Sequence, residues 1–142
     1  MSEQDLDSFI ETYRHALQSM VSGDPAPVLA LFSSRDDVTL ANPLGPPCQG
    51  PAAVAEATRL ASANFRRGSM TFGEVSRCHT PELASVLEIE LAQTELEGTG
   101  ETQKIALRVT TIFRLEDAAW KIVHRHADPL TSARPVAAIV ED

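Results

Sequence analysis

The sequence predicts an α+β domain, with helices gathered in the first half of the chain and strands in the second. Before residue 66, apolar residues recur three and four positions apart, which is typical of helices. After residue 68 the period changes to two, which is typical of half-buried strands. This order favours helices that cover one face of a curved sheet.

Three helices and one early strand are predicted in the first half. An apolar stripe from Leu6 to Val21 indicates the first helix, and Gly23 ends it as a C-terminal cap. Asp24 and Pro25 begin a short second helix, since a carboxylate caps the first turn and a proline is tolerated there. A strand then follows at 38–41, and a third helix begins at Pro51 and ends near 65. We expect the segment 42–51 to be a stiff loop, because six of its ten residues are proline or glycine.

The second half is predicted to be a meander of about four antiparallel strands. A weaker strand around 70–75 precedes a long one in which Leu87, Ile89 and Leu91 alternate with glutamates. Two further strands, 104–115 and 120–127, follow the turns at 97–101 and 116–118. We therefore expect a single domain over 1–142, with its core at about 5–128 and a tail at 129–142 to which we assign no role.

Composition excludes several classes of function. The 142 residues include 12 basic and 20 acidic side chains, and a net charge of -8 argues against binding to nucleic acid or to an anionic membrane surface. No apolar run is long enough to cross a bilayer, and the acidic N-terminus is unlike a signal peptide. Two cysteines, Cys48 and Cys78, are expected to be free thiols in a reducing cytoplasm.

Three local signatures carry a resemblance to a known family. They are Val21-Ser-Gly-Asp24 before a short helix, the segment 37–45 closed by Gln49-Gly50, and Trp120-Lys-Ile-Val-His-Arg-His126. Together with the element order, they resemble the nuclear-transport-factor-2-like superfamily, in particular its SnoaL-like and ketosteroid-isomerase-related branch. The resemblance covers about 5–128. It implies a cone-shaped fold in which the helices and a strongly curved, mostly antiparallel sheet enclose an apolar pocket, and it implies a homodimer packed through the sheet faces.

The resemblance does not extend to the chemistry of ketosteroid isomerase. That reaction uses a carboxylate base, a phenol and a protonated carboxylic acid. The matching positions here hold Asn42, Ala16 and Thr111, and an amide cannot accept a proton at neutral pH. We therefore reject authentic ketosteroid isomerisation.

The remaining candidate site residues lie mainly on the last two strands. Strand alternation places His124, His126 and Asp128 on one side together with Trp120, and the resemblance turns this side toward the pocket beside Val109 and Thr111. A bulge would instead turn Val123 and Arg125 inward. Ligand contacts are further expected from Asn42 at the pocket rim and from Tyr13 on the apolar stripe of the first helix.

Two functions stay open on this evidence. In the first, the protein binds a small, mostly apolar carbonyl compound and moves a proton, as an isomerase, cyclase or dehydratase does, with His126 as acid or base and Asp128 as its orienting partner. In the second, it is a non-catalytic ligand carrier or a dimerising association module. No cofactor and no metal are predicted, because no second histidine or cysteine cluster supports the pair His124 and His126.

Overall fold

A computed structural model describes residues 5–141, and it shows three helices packed on a curved, unclosed sheet of six strands. The helices are α1 (Leu6–Met20), α2 (Ala26–Leu29) and α3 (Pro51–Ser62). The strands are β1 (Thr39–Ala41), β2 (Cys48–Gln49), β3 (Phe65–His79), β4 (Leu83–Leu96), β5 (Thr102–Glu116) and β6 (Ala119–Asp128). Their order in the sheet is β2-β1-β6-β5-β4-β3, antiparallel throughout except for the pair of β1 and β6. The predicted α+β cone is confirmed.

The ends of the helices follow the local sequence. Asp5 caps α1 by accepting a hydrogen bond from the Ser8 backbone N–H at 3.2 Å. Gly23 follows the helix with a φ of 95°, the left-handed conformation that glycine adopts without a steric penalty. Pro51 occupies the first turn of α3, where its missing N–H leaves no hydrogen bond unmade.

Two expectations about the elements need correction. The proline-rich segment is not all loop, since Cys48 and Gln49 pair with Leu40 and Thr39 as a two-residue strand at the edge of the sheet. The predicted strand around 70–75 spans Phe65–His79, because it pairs along almost the whole of β4 through two register shifts. The tail after β6 carries one short 3-10 helix, Val136–Ile139, and none of its side chains is buried.

The main core lies between α1 and the concave face of the sheet. Phe113 of β5 is fully buried and meets Phe9 and Tyr13 edge to face, at ring-centroid distances of 5.5 and 5.4 Å. Ile122 of β6 and Trp120 belong to the same cluster. This packing closes the narrow end of the cone and leaves space at the wide end. No helix within residues 5–141 is long and apolar enough to span a membrane.

Candidate functional site: a buried ion pair in an apolar cavity

A bulge in β6 decides which side chains face the interior. Ile112 of β5 pairs with His124, but its neighbour Phe113 pairs with Ile122, so Val123 is an extra residue in the register. Alternation restarts beyond it, and Arg125 and Ala127 become the buried positions. The expectation that His124, His126 and Asp128 point inward is therefore wrong. The alternative is correct for Arg125 but not for Val123, which is the half-buried bulge residue.

The inward turn of Arg125 creates a buried ion pair with Glu90 of β4. Nη1 and Nη2 of Arg125 each donate to one carboxylate oxygen of Glu90 at 2.7 Å. The guanidinium is 7% exposed and the carboxylate 1%. Burial disfavours the charge of Arg125, but the attraction of Glu90 outweighs it, so the pKa of the guanidinium lies above its ordinary value. Two-point contacts of this kind fix the orientation of both groups.

Tyr13 and Thr111 extend the pair into a network. Arg125 Nη1 also donates to the Tyr13 hydroxyl oxygen at 2.6 Å, and that hydroxyl shares a hydrogen bond of 3.0 Å with the Thr111 hydroxyl. Both side chains are 1% exposed. Burial raises the pKa of Tyr13 to about 12, so the phenol keeps its proton. The network is neutral overall, since it contains one cation and one anion.

The ion pair lies at the wall of an apolar cavity of about 150 Å³ at the wide end of the cone. Glu90 and Arg125 are the charged residues that line it, and Asn42 and Thr58 are the other polar ones. All remaining lining residues are apolar: Leu17, Met20, Val21, Val28, Phe32, Leu40, Pro43, Leu44, Ala61, Phe65, Met70, Ala92, Ile105, Leu107 and Ala127.

Arg125 retains hydrogen-bonding capacity inside this cavity. A guanidinium has five N–H donors. The two protons of Nη1 are taken by Glu90 and Tyr13, and one proton of Nη2 is taken by Glu90. For the other Nη2 proton and for Nε–H, residues 5–141 provide no acceptor. The cavity thus combines an apolar wall with a preoriented, unused donor.

A second buried carboxylate, Glu88, lies two residues before Glu90 on the same face of β4. Arg14 of α1 donates to Glu88 at 2.8 Å and to the more exposed Glu74 at 3.1 Å. Burial raises the pKa of Glu88 above its ordinary value in spite of the hydrogen bond from Arg14. The Arg14 Nε atom is buried and has no partner within the described part of the chain. Glu88 does not line the cavity, so we assign this pair to the packing of α1 on the sheet.

The two predicted pocket histidines lie on the outer face of the sheet. His124 is partly buried, and its Nδ1 shares a hydrogen bond of 2.7 Å with the Thr39 hydroxyl. Burial, and less strongly His126, lowers the pKa of His124. The His126 side chain is 54% exposed, and its Nε2 is 3.6 Å from Asp128. The structure therefore brings the predicted acid–base pair together, but outside the cavity.

Asp128 is engaged by other partners on that face. Its carboxylate accepts from Arg108 at 2.8 Å and from the Leu130 backbone N–H at 3.0 Å, and the Arg108 hydrogen bond is the main cause that lowers the Asp128 pKa. Metal binding has no support here, since no group of three His, Cys, Asp or Glu side chains within residues 5–141 is placed to hold an ion. A catalytic role for His126 and Asp128 stays a prediction.

The other predicted ligand contacts divide between the cavity wall and the core. Asn42 lines the cavity, and its side-chain oxygen also accepts from the Leu44 backbone N–H at 2.9 Å, as a turn-capping residue does. Tyr13 accepts a hydrogen bond from Arg125 and Thr111 is hydrogen-bonded to Tyr13, but neither residue lines the cavity. Val109 and Trp120 are buried, at 0% and 5% exposure, and do not line the cavity.

Of the two charged residues that line the cavity, sequence reasoning missed Glu90 and gave Arg125 only as the alternative orientation of β6. Glu90 alternates with leucine and isoleucine, a pattern normally produced by a strand with glutamates in solvent. In β4 the reverse holds: Glu88 and Glu90 are buried, and Leu91 is 50% exposed. A glutamate that faces the core needs a cation opposite it. If β6 contains a bulge, Arg125 turns inward and supplies that cation, so Arg125 is the residue from which a buried Glu90 could have been predicted.

A family model described as the SnoaL-like domain matches residues 10–131. The chain belongs to this family, within the superfamily of nuclear-transport-factor-2-like and ketosteroid-isomerase-like folds. No protein of curated function matches it significantly by sequence.

Solved structures support the same fold. A nuclear-transport-factor-2-like superfamily protein from Salmonella enterica matches with a TM-score of 0.76 and 18% identity, over 91% of this chain and 90% of that one. A ketosteroid isomerase-like protein from Erwinia carotovora matches with a TM-score of 0.74 and 16% identity, over 89% and 95%. A protein from Thiobacillus denitrificans, provisionally named a calcium/calmodulin-dependent protein kinase type II association domain, matches with a TM-score of 0.73 and 21% identity, over 92% and 99%. Enzyme-like and assembly-domain names thus occur on one fold.

Proposed function

We propose that the protein binds a small, neutral, mostly apolar molecule in the cavity and receives one oxygen acceptor of that molecule on Arg125. The unused N–H donors of Arg125 at an otherwise apolar wall carry this proposal. A carbonyl oxygen placed there accepts a hydrogen bond from a charged donor, and such hydrogen bonds are stronger than those between neutral groups. Binding sites of this kind are mostly apolar with a few placed polar groups that orient the ligand.

The charge balance of the site favours a neutral ligand over an anion. Glu90 already neutralises Arg125 through two contacts of 2.7 Å, so a ligand carboxylate would add an unpaired negative charge beside Glu90. The cavity volume of about 150 Å³ suits a molecule about the size of benzene. Cyclohexanone and short ketones fit both requirements.

Binding is better supported than proton transfer. A general base needs an oxygen within hydrogen-bond reach of the proton it takes, whereas both carboxylate oxygens of Glu90 already accept hydrogen bonds from Arg125. The Tyr13 phenol, with a pKa of about 12, is a poor acid near pH 7. Both groups accept hydrogen bonds from Arg125 and fix its orientation, and Arg125 is the donor that can orient a carbonyl oxygen, as a ligand carrier requires.

The binding test compares cyclohexanone with cyclohexane and benzoate by NMR titration of the ¹⁵N-labelled protein. We expect shifts from cyclohexanone in residues around the cavity, weaker binding of cyclohexane, and none of benzoate. Arg125→Lys keeps a positive charge beside Glu90 but lacks the guanidinium fork, so we expect it to lower ketone affinity about tenfold and leave cyclohexane unchanged. Ala92→Leu fills the cavity and should abolish both. Equal affinity for ketone and benzoate, or no loss in Ala92→Leu, refutes the proposal.

A second candidate function, self-association, is favoured by the outer face of the sheet. Leu91 is 50% exposed there, where a sheet normally presents polar residues. We propose that this face packs against a second copy of the chain. Sedimentation velocity at micromolar concentration tests it: a dimer that Leu91→Arg converts to a monomer supports the proposal, and a monomeric wild type refutes it.

A further inference from the structure

A groove between α3 and the proline-rich loop continues from the mouth of the cavity. Cavity and groove share four lining residues, Leu40, Asn42, Leu44 and Ala61, so they meet at the loop that follows β1. The groove runs away from this junction along the exposed side of α3. Neither Glu90 nor Arg125 lines the groove.

The groove has an apolar floor and two exposed apolar walls. Ala53, Ala57 and Ala61 recur every four residues on α3, and this spacing places their small side chains on one face of the helix. Leu44 from the loop and Leu60 from α3 line the groove with 65% and 62% of their surface exposed. Glu56 and Asn64 also line the groove.

We propose that the groove is a subsite for the extended alkyl part of the ligand, which makes the ligand class a neutral linear ketone or alcohol longer than the cavity. The oxygen lies at Arg125, the first carbons fill the cavity, and the rest of the chain passes Asn42 and Leu44 into the groove. This assignment rests on the proposed ligand binding. It adds a prediction that ligand binding alone does not make, because a closed cavity of about 150 Å³ rejects chains longer than about six or seven carbons.

The test is a series of 2-alkanones from 2-butanone to 2-decanone, titrated by NMR into the wild-type protein and two variants. Leu60→Ala removes a groove wall and keeps a good helix former, and it does not touch the cavity. Leu83→Ala is the matched control, an equally truncated leucine of β4 that is 47% exposed and lines neither the cavity nor the groove. A fully buried CH₂ group gives about a fourfold gain in affinity, so we expect about twofold for each half-buried one in the groove.

Two results support the subsite. The affinity should rise about 15-fold from 2-hexanone to 2-decanone in the wild type, and 2-decanone should bind about threefold less tightly to Leu60→Ala alone. Binding of 2-butanone should be equal in all three proteins. If affinity stops rising beyond 2-hexanone, or if Leu60→Ala and Leu83→Ala behave alike, the groove is not a subsite, although the cavity still binds short ketones. If no member binds, the proposed function itself fails, and the subsite fails with it.

Discussion

Replacing Arg125 by methionine tests the central feature of the structure, the buried pair of Arg125 and Glu90. Arg125→Met is similar in length and apolar, so it fills most of the space but leaves the Glu90 carboxylate, 1% exposed, without its two hydrogen bonds of 2.7 Å. Removing one partner of a buried ion pair costs about 3–5 kcal/mol. Domains of this size have a free energy of unfolding of about 5–15 kcal/mol, so the variant should be severely destabilised.

Urea unfolding at pH 7, followed by fluorescence of the single tryptophan, Trp120, measures this cost. The matched variant is the double substitution Arg125→Met with Glu90→Leu, which removes both charges and leaves no unpaired group. We expect it to be within about 2 kcal/mol of the wild type, since apolar replacement of a buried pair is often neutral or stabilising.

The reasoning is refuted if Arg125→Met costs less than about 1 kcal/mol, or if the double variant is as unstable as the single one. The first result would mean that water reaches Glu90 and replaces the guanidinium. The second would mean that the loss comes from packing around position 125 and not from charge. In either case the cavity would lack the preoriented donor on which the binding proposal depends.

Four further outcomes follow from the structure. Tyr13→Phe should cost about 1–2 kcal/mol in urea unfolding, because it removes a buried acceptor from Arg125 and leaves the ring packing intact. Burial raises the pKa of Glu88 in the folded state, so the wild type loses stability as the pH rises from the ordinary pKa of a glutamate toward this raised pKa. Glu88→Gln lacks this loss and should gain stability relative to the wild type over that rise in the same assay. A difference that does not change with pH would contradict the burial argument. His126→Ala should change the unfolding free energy by less than about 0.5 kcal/mol and leave ketone affinity unchanged, since the side chain is 54% exposed and outside the cavity; a large loss of affinity would restore it to the site. Gly68→Ala should cost about 1–3 kcal/mol by thermal unfolding, because its Cβ would lie 2.2 Å from the backbone oxygen of Val21, the residue that follows α1. A neutral result would show that this contact relaxes freely.

The sequence predicts the elements of this fold better than their orientation. The stripe of α1, its cap at Gly23 and the alternation in β5 all depend on near neighbours in the chain, and each was read correctly. The two-residue strand at Cys48 was missed because its prolines dominate the local pattern, whereas the pairing partner lies in another segment. Local signals decide whether a segment is a helix or a strand, but pairing between segments decides where an irregular segment joins the sheet.

The orientation of β6 shows why the site itself was harder to predict. Ile122 and Val123 are both apolar, so the alternation of the strand can continue from either of them, and the two choices place opposite side chains inside. One orientation buries His124 and His126, and the burial of a histidine costs only a little free energy. The other buries an arginine, which is acceptable only beside a carboxylate. The answer depends on Glu90, 35 positions away, and not on any residue of β6.

A buried ion pair suits a binding cavity better than a buried neutral residue does, because the two charged groups hold each other in one orientation. A buried amide or hydroxyl can rotate to satisfy itself, but a guanidinium held at two points by Glu90 and at a third by Tyr13 has a fixed plane. Its unused N–H groups therefore keep their direction whether or not a ligand is present, and ordering the site costs the ligand little free energy. The pair is expensive for folding and gains little net stability. The ion pair gives the cavity a hydrogen-bond donor of constant position among walls that are mostly apolar.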